Sequence, residues 1–276
     1  MKRIARFPVL AVAVLSLLTF MTGCNRLQAR DQLNKGVSAY KNAKYEEAIG
    51  HFQKAVQLDP TLPMAKLYLA TAYAQQVVPD LETPENLQSA QLAIDGFKEV
   101  LTKDPKDLTA LKGIASLYFN IKKYDDARDW QKKVIEVDPN DPEAHYSVGV
   151  IDWRLAYRNA VKLLSSVGMQ DDGNGNPKLP KAACADLQKQ NNALVTEGIE
   201  YLQKAIDLRP SYDDAMSYIN LAYRRKADLE CGNDAARKAD LDQAVVWRDK
   251  SMGTRKANEE KKNEQTPGGI VMDNNK

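Results

Sequence analysis

Histidine is the scarcest chemically versatile residue in this chain: 276 residues contain two, His51 and His145. Neither has a second ligand at the i, i+4 spacing that builds helical zinc sites. Cysteine is almost as rare, with three in all, too few for a disulfide scaffold or a cysteine-rich metal cluster. The 14 glycines form no P-loop, dinucleotide fingerprint or nucleophile elbow. No metal, cofactor or catalytic constellation is called for, and the chain reads as a non-enzyme. Neither sign of charge dominates, with 39 basic against 37 acidic residues. That balance gives no electrostatic case for nucleic acid. Long apolar runs are also missing, except at the very front.

What the chain does have is repetition. Asp59-Pro60 is followed by Ala65, Asp104-Pro105 by Ala110, Asp138-Pro139 by Ala144, and Arg209-Pro210 by Ala215. Twelve residues before each proline stands Ala48, Ala93, Ala127 or Gly198; eight before it Phe52, Phe97, Gln131 or Leu202; five before it Ala55, Val100, Val134 or Ala205. Proline cannot sit inside a helix, so it ends one helix and opens the next. The small residues, with Gly36, Ala70, Ala115 and Gly149 in the preceding helices, let backbones approach closely.

This pattern resembles the tetratricopeptide repeat (TPR), whose period is about 34 residues. The resemblance covers residues 29–253 and implies an all-α, right-handed superhelical solenoid of about five helical hairpins. Pro105 to Pro139 is one undisturbed period. Pro60 to Pro105 is 45 residues, which predicts a longer loop from Val77 to Pro84. Pro139 to Pro210 is 71 residues, which predicts two lengthened helices, about 142–167 and 182–207, joined by a polar loop at 170–181. The last hairpin, from Ser211 to Met252, is lengthened as well. The polar stretch from Thr254 to Lys276, with Pro267-Gly268-Gly269, is expected to be disordered.

At the front, Lys2, Arg3 and Arg6 precede a largely apolar run from Phe7 to Phe20, too short to span a membrane and suited to an export signal. Met21-Thr22-Gly23-Cys24 resembles a bacterial lipobox. That resemblance implies cleavage after residue 23, a lipid on Cys24, a short linker at 24–28, and a membrane attachment through that lipid. By the same resemblance, Asn25 after the cysteine implies the outer membrane, facing the periplasm. Removing residues 1–23 takes away three basic residues and no acidic one, so the net charge of +2 becomes −1.

Cys184 and Cys231 then remain in a compartment that permits disulfides. Both fall on one rim of adjacent hairpins, at heights differing by roughly 6 Å at 1.5 Å per helical residue. They are expected to be bridged, the alternative being two unpaired buried thiols. Asp171-Asp172-Gly173-Asn174-Gly175-Asn176 has the flavour of a calcium loop, but the twelfth position from Asp172 is Ala183 where a glutamate is needed.

In TPR proteins the first helix of each hairpin lines the concave face, and His145, which opens one of them, is expected to face solvent or groove. The family's inward positions fall here on Tyr68, Lys112, Asn120, Tyr146, Trp153, Arg154 and Tyr218, aromatics beside Lys, Arg and Asn that suit an extended peptide or helix. The Lys/Asn/Arg clamp by which chaperone-type TPR grooves grip a terminal carboxylate is absent, since its positions hold Leu33, Val37, Tyr68, Thr109 and Gly113. Two functions follow as expectations. One is a lipid-anchored scaffold that binds partner proteins in assembly or envelope biogenesis. The other is a lipoprotein that captures a small molecule or peptide for a transport system. The oligomeric state is not readable.

Overall fold

The computed structural model describes residues 7–265, with side chains from 24 to 264 apart from Pro63. Among the described residues all regular structure is α-helical, in ten helices: α1 (Phe7–Lys41), α2 (Tyr45–Leu58), α3 (Pro63–Gln75), α4 (Pro84–Leu101), α5 (Leu108–Asn120), α6 (Tyr124–Val137), α7 (Pro142–Ser166), α8 (Lys181–Leu208), α9 (Asp213–Ala227) and α10 (Asp234–Gln265). They form two compact units, Met1–Trp130 and Gln131–Lys276, with α6 running across the division.

The recurring Asp-Pro has a local cause. The side chain of Asp59 accepts the N–H of Thr61 at 3.0 Å, Asp104 that of Lys106 at 3.1 Å, and Asp138 that of Asn140 at 3.2 Å. Each aspartate thus forms an Asx turn that satisfies the loop N–H just past the proline. Arg209 cannot do this. Its guanidinium instead donates to Glu143 at 2.6 Å and lies 4.5 Å over the Tyr212 ring. Of the helices that follow these turns, α5 and α7 are capped by Asp107 and Asp141, while Thr83 caps α4 after the longer loop, and α1, α5 and α7 share one ending. Lys44 N–H bonds back to Ala39 O at 3.0 Å, Lys123 to Tyr118 at 2.9 Å and Met169 to Leu164 at 2.9 Å. This six-residue closure puts Ala43, Lys122 and Gly168 in the left-handed region, at φ 58°, 60° and 72°.

In the first unit, small residues of the first helices seat aromatic rings. A Cβ at Gly36 would collide with the buried Phe52 ring, and one at Gly113 would come within 2.6 Å of Phe97. The expected long loop lies between α3 and α4. Its key is Asn86, 5 % exposed, whose amide accepts from Val78 N–H at 2.7 Å and donates to Val78 O at 2.9 Å and Leu81 O at 2.7 Å.

In the second unit, Gly149 lets Leu202 and the Gly198 backbone of α8 close on α7. Beyond that crossing the lengthened ends of α7 and α8 have a core of their own, built on Ala156, Ala160, Leu164, Leu179, Cys184 and Leu187. Buried Asn191 ties the two helices by donating to Ala156 O at 2.8 Å and accepting from Asn159 at 2.9 Å.

Three expectations need correction. Residues 24–28 are not a separate linker, because α1 passes through them and Ala29 is already fully buried. The polar stretch from Thr254 is helical as far as Gln265, since no proline or glycine interrupts it before Pro267. Arg255 holds Asp213 at 2.7 Å, and Asn258 donates to Ser211 O at 2.9 Å. Residues 266–276, including Pro267-Gly268-Gly269, lie outside the described residues, as do residues 1–6 of the export signal. His145, expected at solvent or groove, is 6 % exposed, with Nε2 2.9 Å from Pro139 O and its ring against Tyr201.

Candidate functional site

The residues expected to bind a partner divide between the two units. In the first, Tyr68 stacks on Phe52 at 5.6 Å and 14° and joins the cluster of Ala48, Ile49 and Ala72. On that side its ring serves the packing, as the half-buried rings of Tyr146 and Tyr218 do on the cluster of Ile206, Met216 and Ile219 in the second unit. Lys112 is exposed, and Asn120 is half-buried with its carbonyl accepting Asp80 N–H at 2.9 Å, which pins the long loop to the end of α5. A cleft of about 750 Å³ opens at the connections between hairpins of this unit, lined by Pro60, Met64, Leu67 and Val100 beside the Lys66–Glu99 ion pair at 3.0 Å.

In the second unit, Tyr146, Trp153 and Tyr218 come together. Tyr218 of α9 stands edge-on to both α7 rings, 5.3 Å from Trp153 and 5.7 Å from Tyr146, at 77° in each case. Trp153 stacks on Tyr157 at 5.5 Å and 15°. Tyr157 is 41 % exposed, and sequence reasoning missed it, although four residues past Trp153 it had to share that helix face. Arg154, one residue on and so about 100° round the helix, is half-buried. At the other end Tyr146 meets Tyr212 at 4.9 Å, and the Tyr212 hydroxyl donates to Glu143. Burial raises both tyrosine pKa values, helped for Tyr212 by that hydrogen bond.

The tyrosine–tryptophan row ends on a charged cluster. The Arg225 guanidinium lies 5.5 Å over Tyr157 and pairs at 2.9 Å with both Asp171 and Asp228. Asn176 donates to Asp228 at 3.0 Å, while Arg224 and Arg237 donate to the carbonyls of Gly173 and Asn174. The loop with a calcium-like sequence is thus wrapped around a protein cation. Among the described residues no group of three or more His, Cys, Asp and Glu side chains is placed to hold a metal. One guanidinium faces two carboxylates, Asp228 fully buried and Asp171 partly so. Burial pushes Asp228 up to about 7, against the pull of Arg225. Burial also works to raise Asp171, but the hydrogen bonds from Arg225 and from Gly173 N–H outweigh it and hold that carboxyl below its ordinary value. Beside this cluster Cys184 and Cys231 form a disulfide with Cα atoms 6.2 Å apart. It fastens the start of α8 to the turn between α9 and α10.

Tetratricopeptide repeat models match residues 29–62 and 88–149. Among curated relatives, the chain is 25% identical over 128 residues to the protein CTR9 homolog of Arabidopsis thaliana, covering 46% of this chain and 12% of that one. It is 28% identical over 113 residues to Hsp70-Hsp90 organizing protein 2 of the same plant, covering 41% and 18%. The chain thus spans less than a fifth of the length of either. Among solved structures, a MamA protein aligns with a TM-score of 0.56 at 18% identity, covering 88% of this chain and 98% of that one. MamA of Desulfovibrio magneticus RS-1 gives 0.55 at 19%, covering 83% and 96%. YrrB, described as a TPR protein with an unusual peptide-binding site, gives 0.50 at 15%, covering 83% and 90%. At these identities the solved structures speak to fold alone. The protein carries tetratricopeptide repeats, and its helical hairpins have the TPR fold.

Proposed function

We propose that this protein is a non-enzymatic binding module that holds a partner protein segment against the α7–α9 face of its second unit. The observation that supports this most directly is the row Tyr146–Tyr218–Trp153–Tyr157, four aromatic side chains in mutual contact yet none of them fully buried. Aromatic clusters of this kind supply large contact area at small entropic cost, and tyrosine and tryptophan are the commonest interface anchors. The peptide-binding site ascribed to YrrB and the chaperone-organizing role in the name of the Arabidopsis relative are in keeping with such a role.

The reading includes attachment to the cell envelope by a lipid on Cys24, with the binding face on the periplasmic side of the outer membrane. Lys2, Arg3, Arg6, the apolar run and Gly23-Cys24 support it, and Cys24 is exposed and unbridged. Labelled palmitate should enter the wild-type protein and not Cys24→Ala. Equal release of both forms from the membrane fraction would defeat the anchoring.

The binding reading is tested by crosslinking in native membranes with Trp153→Ala beside wild type, followed by mass spectrometry and thermal melting. Loss of defined partners with a nearly unchanged melting temperature is the expected result. Unchanged partners with a large drop in stability would assign Trp153 to packing alone. The second reading, capture of a small ligand for transport, is favoured by the 750 Å³ cleft of the first unit. It predicts ligand-induced stabilisation that Met64→Glu abolishes and Trp153→Ala does not.

A further inference from the structure

We infer that the cleft of the first unit takes an acyl chain of a membrane phospholipid, so that this edge of the protein rests on the bilayer. The inference rests on the attachment through Cys24 proposed above and gives the cleft a ligand class. Its volume, about 750 Å³, is that of a small-molecule site. Pro60, Met64, Leu67 and Val100 supply apolar wall, and Met64 is 44 % exposed. The polar groups around them are already engaged. Lys66 pairs with Glu99 at 3.0 Å, the Thr102 hydroxyl donates to Glu99 O at 2.7 Å, and the Thr61 hydroxyl donates to Asp59 at 2.5 Å. A polar ligand needs convergent hydrogen-bonding groups inside its site to fix its orientation, and here they are committed elsewhere. An aliphatic chain needs none, and each methylene gains by leaving water.

The rim suits the other end of the same molecule. Among the described residues the exposed Lys103 has no ion-pair partner. Its ammonium can meet a lipid phosphate while its stem lies along apolar surface. Asp104 and Asp107 each spend one carboxylate oxygen on a backbone N–H, of Lys106 and of Ala110. The second oxygen of each is left for the ammonium of a zwitterionic headgroup.

Position joins the cleft to the anchor. Arg26 of α1 lies 3.8 Å from Asp59, and Asp59 directly precedes Pro60 in the cleft wall. Leu27, next to Arg26, is 72 % exposed. The helix runs unbroken from Cys24 to the fully buried Ala29, five residues that rise about 7.5 Å. The headgroup layer of one leaflet is about 5–7 Å thick. A lipid on Cys24 thus has no slack chain between it and the folded body, and the Pro60 wall is held close to headgroup depth. An acyl chain reaches the cleft from there without crossing open water.

The test uses the wild-type protein purified from membranes and returned to phosphatidylethanolamine vesicles. These are doped with photoactivatable phosphatidylethanolamine carrying a diazirine either at the end of one acyl chain or on the headgroup, and labelled residues are mapped by mass spectrometry. The chain-end probe should label Met64, Leu67 or Val100, and the headgroup probe Lys103 and its neighbours. Met64→Glu sets a charge in the path of the chain and should lower chain-end labelling at Leu67 and Val100 at least about tenfold. Because Met64 is exposed, that variant should melt almost as wild type does. Lys103→Ala should lower the labelling several-fold, and Trp153→Ala should leave it unchanged. Chain-end labels confined to residues 24–28 of membrane-bound protein, or cleft labels indifferent to Met64→Glu, would overturn the acyl-chain site and leave the attachment standing. Equal release of wild type and Cys24→Ala into the soluble fraction would overturn the attachment, and this inference with it.

Discussion

In the Met1–Trp130 unit, α2, α3 and α5 run 13 or 14 residues, and two rings, Phe52 and Phe97, fill the space left by Gly36 and Gly113. In the Gln131–Lys276 unit, α7, α8 and α10 run 25, 28 and 32 residues. There the repeat landmarks cover only part of each helix, and the excess is fastened by other means. A separate apolar cluster, the Asn191 bridge, a disulfide and the Arg225 ion pairs all lie beyond the Gly149–Leu202 crossing. The regular repeats hold largely by shape, with specific bonds such as those of Asn86 at the lengthened loop. The lengthened helices likewise add specific bonds for the turns that the period no longer matches. The candidate binding row lies at the junction of these two styles, on the stretch of α7 where regular packing gives way to the extension.

Four measurements can break or sharpen this contrast. Phe97→Ala removes a nearly buried ring from the first unit and leaves a void beside Gly113. It should cost about 3–5 kcal/mol, with hydrogen exchange accelerated in α4 and α5 and little changed in α8. Reduction of Cys184–Cys231, or Cys184→Ser/Cys231→Ser, should have the reverse distribution. A 47-residue separation corresponds to about 4 kcal/mol in the chain-entropy model. Exchange should rise in the first turns of α8 and at the α9–α10 turn. An even loss across both units would contradict the division.

The pH response comes third. Asp228 titrates in the folded protein near 7, above the ordinary carboxylate value. Its contribution is complete below about pH 4 and is lost as pH rises through 7. Asp171, held low, contributes in the opposite sense, and its share is lost only as pH falls through its depressed folded value. The second unit should therefore gain on the order of 2 kcal/mol between pH 8 and pH 5, a gain that Asp228→Asn flattens and the first unit does not show. Local exchange in α9 against α4 reads this. Smallest in stability is Tyr157→Ala, expected to cost about 1 kcal/mol through the lost stacking on Trp153 and the lost ring face under Arg225. A larger loss in melting would move Tyr157 from the binding row into the packing.

Much of this was readable before any coordinates, and the reason is locality. An aspartate that caps the residue two places on, a proline that stops a helix and a small residue that admits a ring act within one hairpin, so they leave a fixed spacing. The pairing of Arg225 with Asp171 spans 54 residues and has no period to reveal it. Tyr68 occupies an inward position in the repeat register, yet Phe52 happens to lie parallel beneath it, and only the packed neighbours decide that. The helical run past Thr254 was hidden by its polarity. Its composition is that of an exposed helix as much as of a loose tail, and the anchor that settles the matter, Asn258 on Ser211, lies 47 positions away.

The shared ending of α1, α5 and α7 leaves an unclaimed margin. Gly168 adopts its left-handed conformation freely, whereas Ala43 and Lys122 hold the same conformation with a Cβ that disfavours it, at about 1 kcal/mol each. Both lie in the first unit, and both turns close through main-chain bonds that any residue can make. Evolution has thus left the hairpin turns of the more regular unit short of their best. A designer seeking a hardier protein would begin with Ala43→Gly and Lys122→Gly, two changes that touch neither the aromatic row nor the bridge.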